Sequence, residues 1–329
     1  MAGHLFGRVA KLLAVIFAIS FLFFCLATQV GSDAARVAAG PMAPTSTVEA
    51  VRDRLGLDDP LHTRYLRFLA GILEGDLGVS LRTRQPISTD IVSFLPATAE
   101  LVVTALGIGI AIALIMAYAQ LLFPHSTLLK IAIMVGGSAP VYLTALLVIH
   151  VFWFHFGILP GFGRSAFSDT SQPSGYGVIG AISKGDLDQF ADAVAHLVLP
   201  ATTLALPLGL AVGRTLSSTL SNVMRQPFIT FARGKGLAEH SLLVRHGLRN
   251  AATAPLAMLG LQLRLLYANL LVTERIFGWP GLGSYAIEAY AFSDLPVVLA
   301  VSLVFACFYI VVNSGLEIAQ RSADPRITA

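Results

Sequence analysis

Several apolar stretches of about twenty residues recur along this sequence, and each is long enough to cross the ~30 Å hydrocarbon core of a bilayer. Of the 329 residues, 55% are hydrophobic and only 12% are charged, whereas a soluble domain usually carries about 25% charged residues. The missing charge is concentrated in these stretches. We therefore expect an all-α, polytopic membrane protein with about six transmembrane helices.

The apolar stretches divide the chain into three predicted parts. An N-terminal segment with the first transmembrane helix occupies 1–30, a polar external subdomain occupies 31–95, and a core domain with five further helices occupies 96–329. The six spans lie near 9–29, 99–122, 129–154, 196–216, 252–272 and 296–318. The first span has the alternative of a cleaved signal peptide, because a basic start precedes its apolar run and small residues follow it.

The short loops orient the spans, because cytoplasmic loops carry an excess of Lys and Arg. The loop at 217–251 has Glu239 as its only acid, and its basic residues are Arg225, Arg233, Lys235, Arg245 and Arg249. The loop at 155–195 is acidic in balance, with Arg164 and Lys184 against Asp169, Asp186, Asp188 and Asp192. The first loop is therefore predicted to be cytoplasmic, the second external, and both termini cytoplasmic.

The basic loop at 217–251 has a predicted local structure of its own. Pro227 restarts the chain after the fourth span, and residues 228–235 can form a short helix. Gly236 tolerates the positive φ of a sharp turn, and a second helix follows over 238–249. A basic, partly apolar helix at a cytoplasmic surface either lies on anionic lipid or docks into a groove on a cytoplasmic partner.

Short motifs recur in a fixed order along nearly the whole chain. In the basic loop they are Phe231-Ala-Arg-Gly-Lys-Gly-Leu237 and Arg245-His-Gly-Leu-Arg-Asn250. Elsewhere they include Gly75-Asp-Leu-Gly78, Leu95-Pro-Ala-Thr98, Phe156-Gly-Ile-Leu-Pro160, His196-Leu-Val-Leu-Pro200, Ile276-Phe-Gly-Trp-Pro-Gly-Leu-Gly283 and Asp324-Pro-Arg-Ile327. The ordered set resembles the oligopeptide/dipeptide/nickel permeases, which are ABC transporter inner-membrane permeases of binding-protein-dependent transport systems.

The resemblance implies the type I permease fold of ABC importers and a coupling helix in the basic loop that docks into an ATP-binding subunit. The residues carried over to that contact are Phe231, Ala232, Arg233, Lys235, Gly236, Leu237, Glu239, Leu242, Arg245 and His246. Three places depart from the family. Val30-Gly-Ser-Asp33 stands in place of its Pro-Gly-Asp-Pro turn, Thr230 in place of its acid and Ala238 in place of its serine N-cap.

The resemblance also implies the partners and the location. The expected partners are a second homologous permease subunit, two ATP-binding subunits, an external solute-binding protein and membrane lipid. The chain is expected to be a multi-pass protein of the cell inner membrane, with ATP used by the partner subunits.

The sequence carries no motif for chemistry of its own, so we expect a transport subunit and not an enzyme. It has no G-x-x-x-x-G-K-[ST] phosphate loop, and Gly234-Lys-Gly236 lacks the required spacing. Cys25 and Cys307 lie in apolar segments and predict no metal site. No cofactor is expected in this chain, and the net charge of +3 is too small to indicate nucleic acid.

Three polar residues of the fifth span are candidates for the translocation path. Arg264 lies midway along this span, where a charge is costly and usually faces a polar interior. It either lines the path or forms a structural ion pair, for example with Glu100 or Glu274. Gln262 and Asn269 are seven residues apart, about two turns, and so lie near one helix face.

The function most consistent with these features is import of peptides or a related small solute, driven by partner ATPases. The same machinery could carry nickel or another non-peptide solute. Rivals from other classes are a membrane scaffold that transports nothing and an integral membrane enzyme.

Overall fold

The computed structural model describes residues 17–18, 20–22, 24–25, 34–40, 42–166, 177–292 and 294–323. Within these ranges the chain is helical and forms no β-strand, with one antiparallel bridge between Val79 and Pro86. The prediction of an all-α protein is therefore confirmed.

The helices fall into an N-terminal set and a core set. The N-terminal helices are Ala34–Ala39 (α1), Thr45–Leu55 (α2) and Leu61–Glu74 (α3). The core helices are Ile87–Leu122 (α4), Thr127–Ser138 (α5), Val141–Val148 (α6, extended by a π-helix at Ile149–His155), Val178–Lys184 (α7), Leu187–Met224 (α8), Pro227–Gly234 (α9), residues 239–251 (α10), Thr253–Phe277 (α11), Leu282–Ala291 (α12) and Leu295–Ala323 (α13).

Four of the described helices are long and apolar enough to cross a membrane. They are α4, α8, α11 and the Pro296–Leu316 part of α13, and they coincide with the second, fourth, fifth and sixth predicted spans. The first predicted span, 9–29, lies largely outside the described residues.

The third predicted span, 129–154, coincides with two apolar helices that together are long enough to cross a membrane, but they do not form one continuous helix. α5 and α6 meet at Ala139 and Pro140, and their axes are bent by 110°. Proline disfavours the helical region for the residue before it, and Ala139 has an extended backbone with φ −70° and ψ 130°. Hydropathy misses this break because it averages over the apolar residues on both sides of the proline.

The chain divides into two compact units, and each of them contains segments that are distant in sequence. The first comprises Met1–Leu95 and Gly281–Ile310, and the second comprises Pro96–Pro280 and Val311–Ala329. The predicted domain division places residues 281–310 in the core domain instead.

Buried carboxylates anchor the polar segment of the first unit. Asp294 is fully buried, and its carboxylate accepts hydrogen bonds from the Ser80 hydroxyl and the Leu81 N–H, both at 2.7 Å. The Tyr285 hydroxyl donates to the carboxylate of Asp90 at 2.6 Å. Around these bonds an apolar core forms from the start of α4 and from α12 and α13. The polar segment after α3 is therefore held in place by its hydrogen bonds to a buried carboxylate.

α8 is the central helix of the second unit. Its buried face runs nearly its full length, and it packs against α5, α6, α7 and α11. Its middle part, residues 197–213, is buried at most positions and is apolar apart from two threonines, as expected of a helix segment that is surrounded by other helices. A displacement of α8 therefore changes its contacts with every helix that packs against it.

A buried ion pair joins the loop between α6 and α7 to α4 in the second unit. The Arg164 guanidinium lies 2.7 Å from the Glu100 carboxylate, and the two residues are 2% and 8% exposed. The Ile179 N–H donates to the other Glu100 oxygen at 3.0 Å, and Arg164 stacks over the Trp279 ring with 5.8 Å to its centroid.

A second buried contact lies beside this pair. The Thr98 hydroxyl donates to Glu274 at 2.8 Å, and the Trp279 indole N–H donates to the Ala97 carbonyl at 2.9 Å. Glu274 and Trp279 are 0% and 1% exposed. The start of the α4 span, the end of α11 and the loop between α6 and α7 are thus joined by charged and polar groups removed from solvent.

Removing one partner of the buried pair should be costly, because the other charge is left uncompensated. We expect Arg164→Met to lower the free energy of unfolding by about 3–5 kcal/mol, as measured by denaturation in detergent. The double variant Glu100→Gln/Arg164→Met should lose less than the sum of the two single losses.

The exposed pair between Arg67 and Asp59 is the matched control, with side chains 53% and 42% exposed. Arg67→Met should cost less than about 1 kcal/mol, because solvent screens such pairs. Equal losses at Arg164 and Arg67 would contradict the role of the buried pair.

Candidate functional site

The basic loop after α8 folds as two short helices joined by a turn. Pro227 is the first residue of α9, where its missing N–H has no helical partner. Gly236 has φ +84°, so the turn requires a left-handed backbone that glycine adopts without a Cβ clash. α9 and α10 begin and end within two residues of the predicted 228–235 and 238–249.

α10 packs on the C-terminal end of α8, which the charge of the loops predicts to be cytoplasmic. Leu242 is fully buried, and Leu243 and Leu248 pack on an apolar cluster that includes Leu220. A Cβ on Gly247 would lie 3.0 Å from Leu220 Cδ1 and 3.1 Å from Met224 Sδ. The absence of a side chain at Gly247 therefore permits the close approach of the two helices.

The middle of α10 is a π-helix over Leu242–Leu248. π-helical turns are rare and are frequent at functional sites, because the extra residue redirects the side chains around it. Here Leu242 and Gly247 are buried, while Val244 and Arg245 are exposed. One face of α10 thus packs against the rest of the chain, and the opposite face is exposed.

The outward face of the basic loop combines apolar and cationic side chains, and we call it the docking surface. Its apolar members Phe231, Leu237 and Val244 are 67%, 42% and 48% exposed. Its exposed cations are Arg233, Lys235 and Arg245, and the Lys235 ammonium lies 4.6 Å from the centroid of the Phe231 ring. Of the other predicted contact residues, Ala232 and His246 are half-buried and Leu242 is internal.

An exposed ion pair closes the turn between the two helices. Arg233 donates through Nε to one oxygen of Glu239 and through Nη2 to the other, the second bond being 3.1 Å long. The hydrogen bond from Arg233 lowers the pKa of Glu239, and the same bond raises the pKa of Arg233. Both groups stay charged near neutral pH, and their side chains bridge the turn between α9 and α10.

Val244 belongs to the docking surface but is absent from the contact residues predicted from the sequence. Leu242, Leu243 and Val244 are consecutive, and a helix cannot turn three successive side chains toward one neighbour. Helical periodicity could therefore have indicated that one of the three faces outward.

The three predicted path residues on α11 do not share one face. Gln262 and Asn269 are both half-buried, whereas Arg264 lies on the exposed face between Leu261 and Leu265, which are 54% and 55% exposed. At about 100° per residue, Arg264 is rotated by about 200° from Gln262. Gln262 and Asn269 therefore lie near one face, about two turns apart, and Arg264 lies elsewhere on the helix.

Among the described residues, no group of three or more His, Cys, Asp or Glu side chains is placed to hold a metal ion. The two acids that are candidate partners of Arg264 have contacts inside the protein. Glu100 pairs with Arg164, and Glu274 accepts a hydrogen bond from Thr98.

Two known proteins are similar to this chain over nearly the whole length of both sequences. The chain is 33% identical over 330 residues to the Probable D,D-dipeptide transport system permease protein DdpB of Escherichia coli strain K12, covering 97% of this chain and 96% of that protein. It is 30% identical over 331 residues to the Glutathione transport system permease protein GsiC of Escherichia coli O6:H1, covering 99% of both.

Among solved structures, the chain is similar to a chain of the MetNI methionine ABC transporter in inward-facing conformations. The identity is 13%, the TM-score is 0.48, and the match covers 69% of this chain and 92% of that chain.

Family models account for most of the sequence. Residues 109–329 match the inner membrane component of binding-protein-dependent transport systems, and residues 1–102 match the N-terminal part of such membrane components. With these matches and a basic loop exposed between two apolar helices, the chain belongs to the family of binding-protein-dependent transport system inner membrane components, the permease subunits of ABC importers.

Proposed function

We propose that this permease imports small peptides and that its docking surface receives an ATP-binding subunit on the cytoplasmic side. The observation that carries this proposal is the two-faced structure of α10. Its inner face is packed on α8, and its outer face exposes Val244 beside Arg245.

A protein groove suits the docking surface better than a lipid surface does. A helix that lies in a membrane interface presents one continuous apolar face to the lipid. In α10 the most apolar face is already occupied by α8, and the outward face mixes an aliphatic side chain with a cation. A partly apolar, acidic cleft on a cytoplasmic protein complements both groups.

The contact between α10 and α8 gives a route for coupling. When ATP binding moves the partner subunits, a force on α10 reaches α8 without a flexible joint, because Gly247 is packed directly on Leu220 and Met224. Since α8 packs against α5, α6, α7 and α11, the whole second unit responds to that force. Each ATP cycle would thus alternate the permease between outward-facing and inward-facing states.

The assembly we propose contains a second homologous permease, two ATP-binding subunits and an external solute-binding protein. The exposed face of α11 favours a helical neighbour, because Ala254, Ala257 and Ala268 are all exposed there. Small residues let two helices approach closely within lipid. We place the chain in the cell inner membrane with both termini in the cytoplasm, following the charge of its loops.

The peptide substrate is supported by the names of the relatives, which are permeases for D,D-dipeptide and glutathione. Nickel or another non-peptide solute is the alternative carried by the wider resemblance. Deleting the chain's gene in its host should abolish uptake of a labelled dipeptide and leave uptake of ⁶³Ni²⁺ unchanged. Loss of nickel uptake with normal dipeptide uptake would exclude the peptide assignment.

The turn at Gly236 should be essential for coupling. Proline fixes φ near −65° and lacks an N–H, whereas Gly236 has φ +84° and donates to the Arg233 carbonyl at 2.9 Å. We expect Gly236→Pro to reduce solute uptake at least about tenfold and to remove the dependence of ATP hydrolysis on the binding protein.

Gly234→Ala is the matched control, because Gly234 lies in the helix and a Cβ there meets no atom within 4 Å. It should transport like the wild type. Normal coupling in Gly236→Pro would count against the docking surface.

Arg264 should act on the transported solute or on the partner permease from the exposed face of α11. If it contacts the solute, Arg264→Ala should reduce uptake about tenfold while the assembled complex purifies normally, because a charge-assisted hydrogen bond is lost. Arg264→Lys should retain much of the uptake.

Leu265→Ala, on the same exposed face, is the control for lost packing without lost charge, and it should reduce uptake less than Arg264→Ala does. Loss of assembly in Arg264→Ala would instead assign Arg264 to a structural contact.

A further inference from the structure

A cavity of about 630 Å³ lies between the end of α4, the start of α5 and the last turns of α8. The basic loop follows directly after α8, so the cavity lies at the same side of the membrane as the docking surface. Its lining contains three basic residues, Lys130, Arg214 and Arg225, and no Asp or Glu. The charged residues of the lining are therefore all cations, and the cavity lies at the level where α4 and α8 end and α5 begins.

The three cations have no counter-ion in the part of the chain that the structure describes. All three are exposed, and no ion pair or hydrogen bond of their side chains is formed there. Arg214 lies eleven residues before Arg225, about 16 Å deeper along α8. A guanidinium at that depth is costly within a membrane unless it meets an anion or a polar cavity.

Hydroxyl groups stand between the two arginines. Ser217, Ser218 and Ser221 line the cavity within two turns of Arg214. The Arg214 guanidinium stands against α5, with Nη2 3.7 Å from the position that a Cβ on Gly137 would take. The cavity thus offers both charged and neutral hydrogen-bond donors to one ligand.

The remaining lining is apolar and continues onto an apolar surface. Leu129, Ile133 and Met134 line the cavity on the α5 side. Beyond them Ile131 and Val135 are 48% and 62% exposed on the same helix. A ligand that matches this lining has an anionic end and an apolar end.

We propose that this cavity binds the phosphate and upper acyl chains of an anionic phospholipid from the cytoplasmic leaflet. Basic pockets between transmembrane helices on the cytoplasmic side suit anionic headgroups. The apolar residues Leu129, Ile133 and Met134 also favour a lipid over a free phosphate ion, because inorganic phosphate has no apolar part to contact them. The cytoplasmic assignment rests on the proposed function.

Such a lipid would fill the space between α4, α5 and α8. It would neutralise the charge of Arg214, and its contacts would connect α5 with α8, the helix on which α10 packs. Anionic lipid would then support the same helix that receives the force from the ATP-binding subunit.

The test is native mass spectrometry of the full chain in detergent with phosphatidylglycerol, phosphatidylcholine or inorganic phosphate added. The wild type should bind phosphatidylglycerol at least about tenfold more tightly than phosphatidylcholine. The variant Lys130→Gln/Arg214→Gln should lose about 30-fold in phosphatidylglycerol affinity, because each basic residue near an anionic lipid surface contributes separately.

Two further variants test whether the loss of lipid binding results from misfolding. Arg214→Lys keeps the charge and should retain binding, and Arg249→Gln, which removes an exposed cation of α10 outside the cavity lining, should bind like the wild type. Equal binding of the two lipids, or full binding by the double variant, would overturn the proposal.

Two competition experiments separate the other possible anions. Displacement of the lipid by millimolar inorganic phosphate would assign the cavity to free phosphate. Displacement by a dipeptide but not by its C-terminal amide would assign it to the translocation path. The assay contains no ATP-binding subunit, so failure of docking in Gly236→Pro would leave lipid binding intact, and the two proposals fail independently.

Discussion

The close packing of α10 on the end of α8 is the contact on which the proposed coupling of this permease to a partner subunit depends. Gly247 lets α10 approach Leu220 and Met224 to within van der Waals distance, and Leu242 is fully buried. A flexible linker at this place would absorb a push from a partner, because loop residues can change their dihedral angles at little cost. A packed contact instead moves as one body with the central helix.

Charge is distributed in this chain according to what surrounds it. Inside the second unit, Arg164 and Glu100 are buried as a pair with a further donor, which is the condition under which buried charges are tolerated. On the basic loop the cations of the docking surface are exposed, and Arg233 is paired with Glu239. The cations around the cavity lie in between, since they line a concave surface and lack an acid among the described residues.

Features set by local sequence could be predicted, and features set by distant contacts could not. Hydropathy located four spans, and Gly236 indicated the turn, because both depend on neighbouring residues. The partner of Glu100 is Arg164, 64 residues away, and the chain between them contains no pattern that specifies this contact. The break at Pro140 was within reach of the sequence, as was the separation of Arg264 from Gln262, because proline chemistry and helical periodicity indicate them.

The most direct test of the docking surface is the accessibility of position 244 in membrane vesicles. Val244→Cys, in a background with Cys25 and Cys307 changed to Ser, would be treated with a membrane-impermeant maleimide in vesicles of both orientations. We predict labelling only when the cytoplasmic side faces outward, and protection from labelling when the ATP-binding subunit is added. Labelling from the external side, or labelling that the ATP-binding subunit does not reduce, would contradict the proposed docking of α10.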